Sequence, residues 1–436
     1  MTLLAITILF ILFIFIGIPI AYSIAISALL GIAFIGNVPY TVIPMKMFYG
    51  LNSYVLLAVP LFILTASIMN RGNISKKLIN FSLGIVGRYP GGLGHANILV
   101  SMLFAGVSGS SQADTAGIGK ILIPNMIDKG YSKEMAVGVT AASSTIGSII
   151  PPSITMVIYA GLTNTSVGKL FIGGLLPGIL IGLGMMAFVY YVAIKEHLPK
   201  EKPITLSLFW QLFKQSLPAL LTPLIIILGI VFGIFTATEA AAFSAIYAYL
   251  VSAYYYKTIS YRDIPKILIE TLELSCLSLF ALAAASALGE FLGYMKINHI
   301  VAGFFSNLYS GEYLFFLLII LFFLFIGTFM DAIPAMVLFV PVIYPVAQSI
   351  GVDPVQLGIV IIITLSIGLI TPPYGLCLLI SSVIGGLSID RSFKAVLPYI
   401  AIILVVLAVV IFIPSILLSD IIISYLCYEI CKKKQR

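Results

Sequence analysis

The stretch Gly106–Gly117, GVSGSSQADTAG, places small and hydroxylated residues and one carboxylate between two apolar runs. The flanking runs, Gly91–Gly106 and Gln112–Ile127, are each shorter than the roughly 20 residues that a helix needs to cross a bilayer. Backbone that leaves a helix at membrane depth is tolerated only where it is buried in protein or lines a cavity. We therefore expect a re-entrant helical hairpin, which enters and leaves the membrane on one face, with this stretch as its cavity-lining tip.

The composition of the whole chain is that of a membrane protein. Of its 436 residues, 61% are hydrophobic and 9% are charged, and the mean hydropathy is +1.16. No polar segment is long enough for a soluble domain, and no charged segment precedes the first apolar run as in a cleaved signal peptide. The sequence predicts one polytopic unit, residues 1–436, embedded in a lipid bilayer.

The charge and the cysteines exclude two other classes of function. The net charge of +7 does not indicate a nucleic-acid partner, because the basic residues sit in short loops, as is typical of cytoplasmic loops in membrane proteins. Cys427 and Cys431 are four positions apart, but no histidine lies near them. A zinc site is therefore not expected, and we predict no metal other than Na⁺.

The two halves of the chain resemble one another in the spacing of glycine and proline. A shift of 221 positions aligns Gly106 with Gly327, Pro124 with Pro345, Gly147 with Gly368, and Pro151-Pro152 with Pro372-Pro373. Each half then contains five spans and one hairpin, so the second half inserts upside down, as in the inverted repeats of secondary transporters. We predict an all-α polytopic membrane protein with repeats over about 1–200 and 210–420, and hairpins over about 91–127 and 313–347.

Most basic residues lie on the side of the membrane that the odd number of spans in each half predicts. If Arg71 is cytoplasmic, then almost all loop lysines and arginines are cytoplasmic too, as the positive-inside rule requires. Lys46, Lys169 and Lys296 fall on the other side. The basic C-terminus, residues 432–436, is a further exception, because parity places it outside.

Four breaks in the predicted helices supply polar groups at membrane depth. The second hairpin tip is GTFMD, Gly327–Asp331, and each half adds a Pro-Pro pair, in TIGSIIPPS (145–153) and SIGLITPPY (366–374). Proline removes N–H donors and disfavours helix before it, which frees the preceding carbonyls. Free carbonyls and hydroxyls favour a hard cation such as Na⁺, whereas helix N-termini favour anionic groups.

Two sets of candidate site residues follow. We expect the cation ligands to be Ser108, Gly109, Ser110, Gly147, Ser148, Gly327, Thr328, Asp331, Gly368 and Thr371. We expect the substrate contacts to be Ser111, Gln112, Asp114, Pro151, Pro152, Ser153, Pro372 and Pro373.

Structural interpretations of the same features stay open. A Gly/Ser-rich patch also permits close packing of helices, and a Pro-Pro pair also kinks a helix. Asp114 suits the first turn of the outgoing helix as well as a site, and Glu239 in FTATEAAAFS suits a capping box. The recurrence of both breaks in both halves favours a binding site.

Five separated motifs resemble the large membrane subunit of tripartite ATP-independent periplasmic (TRAP) transporters. They are SGSSQADTAGIGKILIPNMIDKGY (108–131), GSIIPPSITMVIYAG (147–161), FTATEAAAFSA (235–245), GTFMDAIPAMVLFVPV (327–342) and GLITPPYGLCLL (368–379). The resemblance implies an elevator-type transporter of the bacterial inner membrane, coupled to Na⁺, with its pocket between the hairpin tips. It also implies two separate partners, a periplasmic substrate-binding protein and a small four-helix membrane subunit, and no cofactor beyond the coupling ion.

The predicted function is Na⁺-coupled import of a small organic acid, such as a C4-dicarboxylate or sialic acid. The alternative is a stand-alone Na⁺/carboxylate symporter of related architecture. An intramembrane hydrolase that uses Asp114 and Asp331 is a third hypothesis, which the absence of Gly-x-Gly-Asp and His-Glu-x-x-His motifs opposes. Because no arginine lies at either hairpin tip, the sequence does not identify the acid.

Overall fold

The computed structural model describes residues 2–36, 38–72, 74–201, 204–296 and 312–417. These residues form α-helices joined by short 3-10 and π segments, and they include no strand. Six of the described helical segments are long and apolar enough to cross a membrane. The prediction of an all-α, multi-pass membrane protein is therefore confirmed.

The described part of the first half contains ten α-helices, a 3-10 segment at Tyr54–Leu57 and another within its second break. They are α1 (Thr2–Phe15), α2 (Ile20–Ile35), α3 (Val42–Leu51), α4 (Ala58–Arg71), α5 (Ile74–Val86), α6 (Gly92–Ser108), α7 (Ser111–Asp128), α8 (Lys133–Ser144), the 3-10 segment Thr145–Ser148, α9 (Ile154–Thr163) and α10 (Val167–Lys195).

The described part of the second half contains eight α-helices. They are α11 (Leu206–Val231), α12 (Ala237–Leu250), α13 (Ile264–Tyr294), α14 (Glu312–Gly327), α15 (Ala332–Ile350), α16 (Pro354–Gly368), α17 (Leu376–Gly385) and α18 (Ile389–Phe412).

The helices separate into a buried core and an outer layer. All residues of α16 from Val355 to Gly368 are buried, and so are all residues of α8 from Met135 to Ser144. The outer layer consists of α1–α4 and α11–α13, in which α2 and α3 pack on α13 and α4 packs on α12. The exposed large apolar side chains of the outer layer, among them Phe34, Leu224 and Ile246, suit contact with lipid.

The two hairpins interlock with the broken helices of the core. The first arm of each hairpin packs on the broken helix of its own half, α6 on α8 and α14 on α16. The second arm packs on the broken helix of the other half, α7 on α17 and α15 on α9. Both tips and both Pro-Pro breaks are thereby brought to one region, although the inverted relation of the halves stays a prediction.

The helix breaks lie at the positions read from the sequence, but one hairpin arm is longer than expected. The arms α6 and α7 have 17 and 18 residues, about 26 Å each at 1.5 Å per residue. The arm α15 extends to Ile350 and has 19 residues, so it is itself among the helices long enough to span. Its prolines, Pro341 and Pro345, do not end the helix. The re-entrant path of this hairpin stays a prediction.

Two further expectations concern segments outside the core. Glu239 forms the expected capping box, because its side chain accepts from the Thr236 N–H at 2.8 Å while the Thr236 hydroxyl accepts from the Glu239 N–H at 3.3 Å. Glu239 therefore has a structural role at the start of α12. The basic C-terminus at 432–436, whose side of the membrane was an exception, lies outside the described residues, as do Cys427 and Cys431.

We predict that Gly368→Ala destabilises the core. A methyl group on Gly368 would lie 2.6 Å from the carbonyl carbon of Gly327, where backbone cannot yield as a flexible side chain would. Overpacking of this kind costs about 1–3 kcal/mol, so the melting temperature of the purified protein should fall. The control is Gly289→Ala in α13, where an added methyl meets nothing within 4 Å. Equal melting temperatures for the two variants would contradict the tight Gly327–Gly368 contact.

Candidate functional site

A cavity of about 160 Å³ lies where the two hairpin tips meet the outer layer. Its described lining comes from both tips, both Pro-Pro breaks, α4 and α13: Ile63, Ala66, Ser67, Asn70, Ser108, Gly109, Ser110, Ser111, Gln112, Ala113, Ser148, Ile154, Thr155, Leu274, Ser278, Asp331, Ala332, Ile333 and Leu369. Serine hydroxyls, two amides and one carboxylate make one part of the wall polar. The remainder is aliphatic.

The first tip is a sharp turn that ends α6 and caps α7. Gly109 has a φ of +59°, a left-handed conformation that glycine adopts without strain. A side chain there would also lie 2.8 Å from the Pro152 carbonyl oxygen. Ser110 then N-caps α7, since its hydroxyl accepts from the Ala113 N–H at 3.5 Å.

The second tip repeats this arrangement with a charge in place of the hydroxyl. Asp331 N-caps α15, and its carboxylate accepts from the Ala332 N–H at 2.8 Å. Ser110 and Asp331 are the residues that the 221-residue shift aligns, and both line the cavity. Gln112 of the first tip lines the same cavity as Asp331 of the second tip.

Backbone hydrogen bonds fix each tip to the Pro-Pro break of its own half. The Ile154 N–H donates to the Gly109 carbonyl at 3.4 Å, and the Tyr374 N–H donates to the Thr328 carbonyl at 2.9 Å. The two breaks are joined to one another by Ser148 and Ser366, whose hydroxyl oxygens are 2.6 Å apart. All four predicted breaks therefore belong to one connected structure.

Behind the first tip lies a buried polar corner formed by Ser108, Ser111, Asp114 and Gly147. Asp114 has no exposed surface, and one of its carboxylate oxygens accepts from the Ser108 hydroxyl. The other oxygen, Oδ2, has no hydrogen-bond partner among the described residues, and neither has the Ser111 hydroxyl. A methyl group on Gly147 would lie 2.5 Å from Oδ2, so the carboxylate lies against the Gly147 backbone. Burying an uncompensated carboxylate is costly, which makes this corner a place for a cation.

The second tip also groups Gly327, Thr328, Gly368 and Thr371, but both threonines are partly exposed, unlike the corner behind the first tip. Both threonine hydroxyls donate to carbonyls of their own helices, Thr328 to Phe325 at 2.7 Å and Thr371 to Ile367 at 2.8 Å. Each hydroxyl oxygen therefore keeps lone pairs with which to accept a hydrogen bond or to coordinate a cation. The close backbone contact of Gly327 with Gly368 brings the two helix ends together.

The predicted substrate contacts divide between the cavity wall and the layer behind it. Ser111 and Gln112 lie on the wall. Asp114 lies in the buried corner instead, because the first turn of α7 directs it towards Gly147. The remaining predicted contacts do not line the cavity and instead shape the two breaks: Pro151, Pro152, Ser153, Pro372 and Pro373. Ser153 N-caps α9 and donates to the Ser148 carbonyl at 2.6 Å.

Several cavity residues were not predicted from the sequence. The face of α4 that lines the cavity consists of Ile63, Ala66, Ser67 and Asn70, at the i, i+3, i+4 and i+7 spacing of one helical face. Leu274 and Ser278 contribute in the same way from α13. A polar residue such as Asn70 near the end of an apolar helix was the available signal.

The charge on the described cavity wall is negative only. Asp331 is the charged residue of the described lining, which includes no lysine, arginine or histidine. An anion in this cavity has therefore to be neutralised by bound cations, hydroxyls and backbone N–H groups.

Comparisons with known proteins agree with one another. The family model described as "Tripartite ATP-independent periplasmic transporter, DctM component" matches residues 7–416. The C4-dicarboxylate TRAP transporter large permease protein DctM of Pseudomonas aeruginosa is 37% identical over 374 residues, 86% of this chain and 88% of that protein. The sialic acid TRAP transporter large permease protein SiaM of Vibrio cholerae is 35% identical over 414 residues, 94% of this chain and 97% of that protein.

A solved structure supports the fold alone. The Alcanivorax borkumensis YdaH transporter superimposes with a TM-score of 0.62 at 13% sequence identity, over 85% of this chain and 86% of that one.

Proposed function

We propose, since the chain belongs to the DctM family of tripartite ATP-independent periplasmic transporters, that it imports a small organic acid together with Na⁺. Membership of a family of transporter permeases excludes the hydrolase hypothesis. The cavity between the two hairpin tips carries the proposal, because it combines oxygen ligands, one carboxylate and a wall without basic side chains. Relatives named for C4-dicarboxylates and for sialic acid support an acid as the substrate.

The buried corner behind the first tip is the first proposed Na⁺ site. The unpartnered Asp114 Oδ2 faces the backbone of Gly147, beside the backbone nitrogen of Ser111. The Ser111 hydroxyl is also without a hydrogen-bond partner among the described residues, and Na⁺ prefers oxygen ligands of these kinds. A cation there would neutralise a carboxylate that otherwise lies uncompensated in the core. Asp114 is therefore assigned to the cation and not, as the sequence suggested, to the substrate.

The second proposed Na⁺ site lies at the other tip. The Thr328 and Thr371 hydroxyls and the backbone of Gly327 and Gly368 supply oxygens. Asp331 adds a carboxylate on the cavity side. Cations on both sides of the cavity would compensate the negative charge of an acid, which the wall itself does not do. The acid would then bind well only when Na⁺ is present, and this dependence is the physical basis of the proposed coupling.

The cavity lies towards one end of α4, which indicates the state of the transport cycle. Its lining includes Ser67 and Asn70 in the last turn of α4, next to Arg71, which the positive-inside rule predicts to be cytoplasmic. We infer that the hairpin tips are in the inward-facing state of the transport cycle, nearer the cytoplasm. In the elevator mechanism the hairpins and broken helices would move as a unit along α4 and α13, between this position and one that faces the periplasm.

The proposed partners and location follow from the family. TRAP transporters are tripartite, so we propose that this chain works with a small four-helix membrane subunit and a periplasmic substrate-binding protein in the bacterial inner membrane. Reconstitution of all three in proteoliposomes tests the function. Uptake of an organic acid should require both an inward Na⁺ gradient and the binding protein. Uptake without the binding protein would support the stand-alone symporter instead.

We predict that Ser110→Ala weakens the Na⁺ dependence of uptake. Ser110 is one of the cation ligands expected from the sequence, and it is a helix N-cap that lines the cavity next to the first proposed Na⁺ site. Ser166 is an N-cap of α10 that does not line the cavity. Each alanine variant loses a cap worth about 1 kcal/mol, so Ser166→Ala controls for stability. Only Ser110→Ala should raise the Na⁺ concentration for half-maximal uptake. If both variants needed the same Na⁺ concentration for half-maximal uptake, Ser110 would not be a cation ligand.

We predict a larger effect for Asp331→Asn. Asparagine still caps a helix, so the fold should persist while the charge is lost, and half-maximal uptake should need several-fold more Na⁺. Asp353→Asn is the matched control, because Asp353 N-caps α16 and accepts from the Gln356 N–H at 2.8 Å without lining the cavity. If Asp331→Asn kept the Na⁺ dependence and rate of the unmodified protein, this carboxylate would be structural.

A further inference from the structure

An ion pair joins the two outer-layer helices that line the cavity. The Arg71 Nε–H at the end of α4 donates to Glu270 Oε2 of α13 at 3.1 Å, and a second guanidinium N–H contacts the other carboxylate oxygen. This is the bidentate geometry in which arginine recognises a carboxylate. Both side chains retain access to solvent, 32% for Arg71 and 48% for Glu270.

The ion pair lies at the rim of the cavity. Glu270, Leu274 and Ser278 are spaced four residues apart and share one face of α13, and the last two line the cavity. Glu270 is therefore about 6 Å, four residues at 1.5 Å each, beyond the wall. On α4, Arg71 directly follows the lining residue Asn70.

Arg71 is also the basic residue nearest in sequence to the described lining of the cavity. No other lysine, arginine or histidine lies within four sequence positions of any described lining residue. Between Arg71 and the tips stand Ser67 and Asn70, whose side chains make no hydrogen bond within the described part of the chain. They form a polar strip that leads from the tips to the guanidinium.

We propose that Arg71 is a carboxylate-binding subsite at the rim of the cavity, held by Glu270 when no acid is present and exchanged onto the carboxylate of the acid as it enters or leaves. The proposal rests on the proposed function, since it requires an organic acid in the cavity. Glu270 is then an internal competitor for the guanidinium. If the ion pair had only a structural role, removing Arg71 and removing Glu270 would not change acid binding in opposite directions.

The test compares the directions in which two substitutions change the affinity for the acid. Removing the cation in Arg71→Gln should weaken acid binding and leave Glu270 to repel the acid. Removing the competitor in Glu270→Gln should strengthen it. Exposed ion pairs are worth about 0.2–1 kcal/mol, so we expect opposite changes of about two- to fivefold in the half-saturating acid concentration.

The measurement is the melting temperature of the full chain with its small subunit at saturating Na⁺, titrated with malate and with N-acetylneuraminate. Malamide and N-acetylmannosamine are the neutral analogues, and their titrations should not change in either variant. The Lys46–Glu290 pair, with atoms 3.0 Å apart, also joins two outer-layer helices, α3 and α13, but Glu290 lies twelve residues beyond Ser278. Lys46→Gln and Glu290→Gln should therefore leave acid binding unchanged.

The outcomes separate the two proposals. Opposite shifts for Arg71→Gln and Glu270→Gln, confined to the acids, support the subsite. Shifts of the same sign, or no shift in variants that fold, overturn it and leave the proposed function standing. Arg71→Lys covers the case in which Arg71→Gln fails to fold, because it keeps the charge, loses the bidentate contact and should still weaken binding. If the unmodified protein responds to neither acid, the proposed function fails for C4-dicarboxylates and sialic acid, and the subsite fails for both.

Discussion

Backbone groups that leave a helix at membrane depth must find their partners inside the protein, because lipid offers none. This chain breaks its helices at four places, and the arrangement of its core follows from how those breaks are satisfied. The carbonyl of each tip accepts a hydrogen bond from the segment just after the Pro-Pro pair of the same half. A tip and a break are thus held as a unit, and neither can be placed without the other.

The same constraint explains the choice of residues. Gly109 turns the chain and approaches Pro152, and Gly327 lies against Gly368, at distances that a side chain would prevent. Serine and threonine hydroxyls then satisfy the carbonyls that remain. The result is a set of oxygen atoms held at fixed positions, which suits a cation of low charge. A more basic wall would hold an acid without Na⁺ and would remove the proposed reason for coupling.

The features that could be predicted from the sequence are those with a local chemical cause. A run of glycine and serine between apolar segments, and a Pro-Pro pair, interrupt helices whatever surrounds them, so both tips and both breaks were placed correctly. The capping box at Thr236 and Glu239 is equally local. The full length of α15 was not predicted, because the helix continues three residues past 347, the predicted end of the hairpin, to Ile350.

Features that depend on how helices face one another could not be predicted. From the sequence, Asn70 and Ser67 look like any other polar residues of an apolar helix. Only the packing of α4 beside the first tip makes them part of the cavity. Asp114 resembled a substrate contact, but the rotation of α7 turns its side chain to Gly147 and away from the cavity. The ion pair of Arg71 with Glu270 joins residues 199 positions apart, for which one sequence holds no signal of contact.

The central claim is that cations and acid share one cavity and stabilise one another there. Reciprocity of binding tests it most directly: acid should raise the affinity of the purified protein for Na⁺ by the same factor by which Na⁺ raises its affinity for the acid. Direct binding of radioactive Na⁺, measured with and without saturating acid, gives that factor. We expect a clear increase in Na⁺ affinity, at least several-fold, with acid present. Equal Na⁺ affinity in the two conditions would contradict it, since the cavity would then hold the two ligands independently.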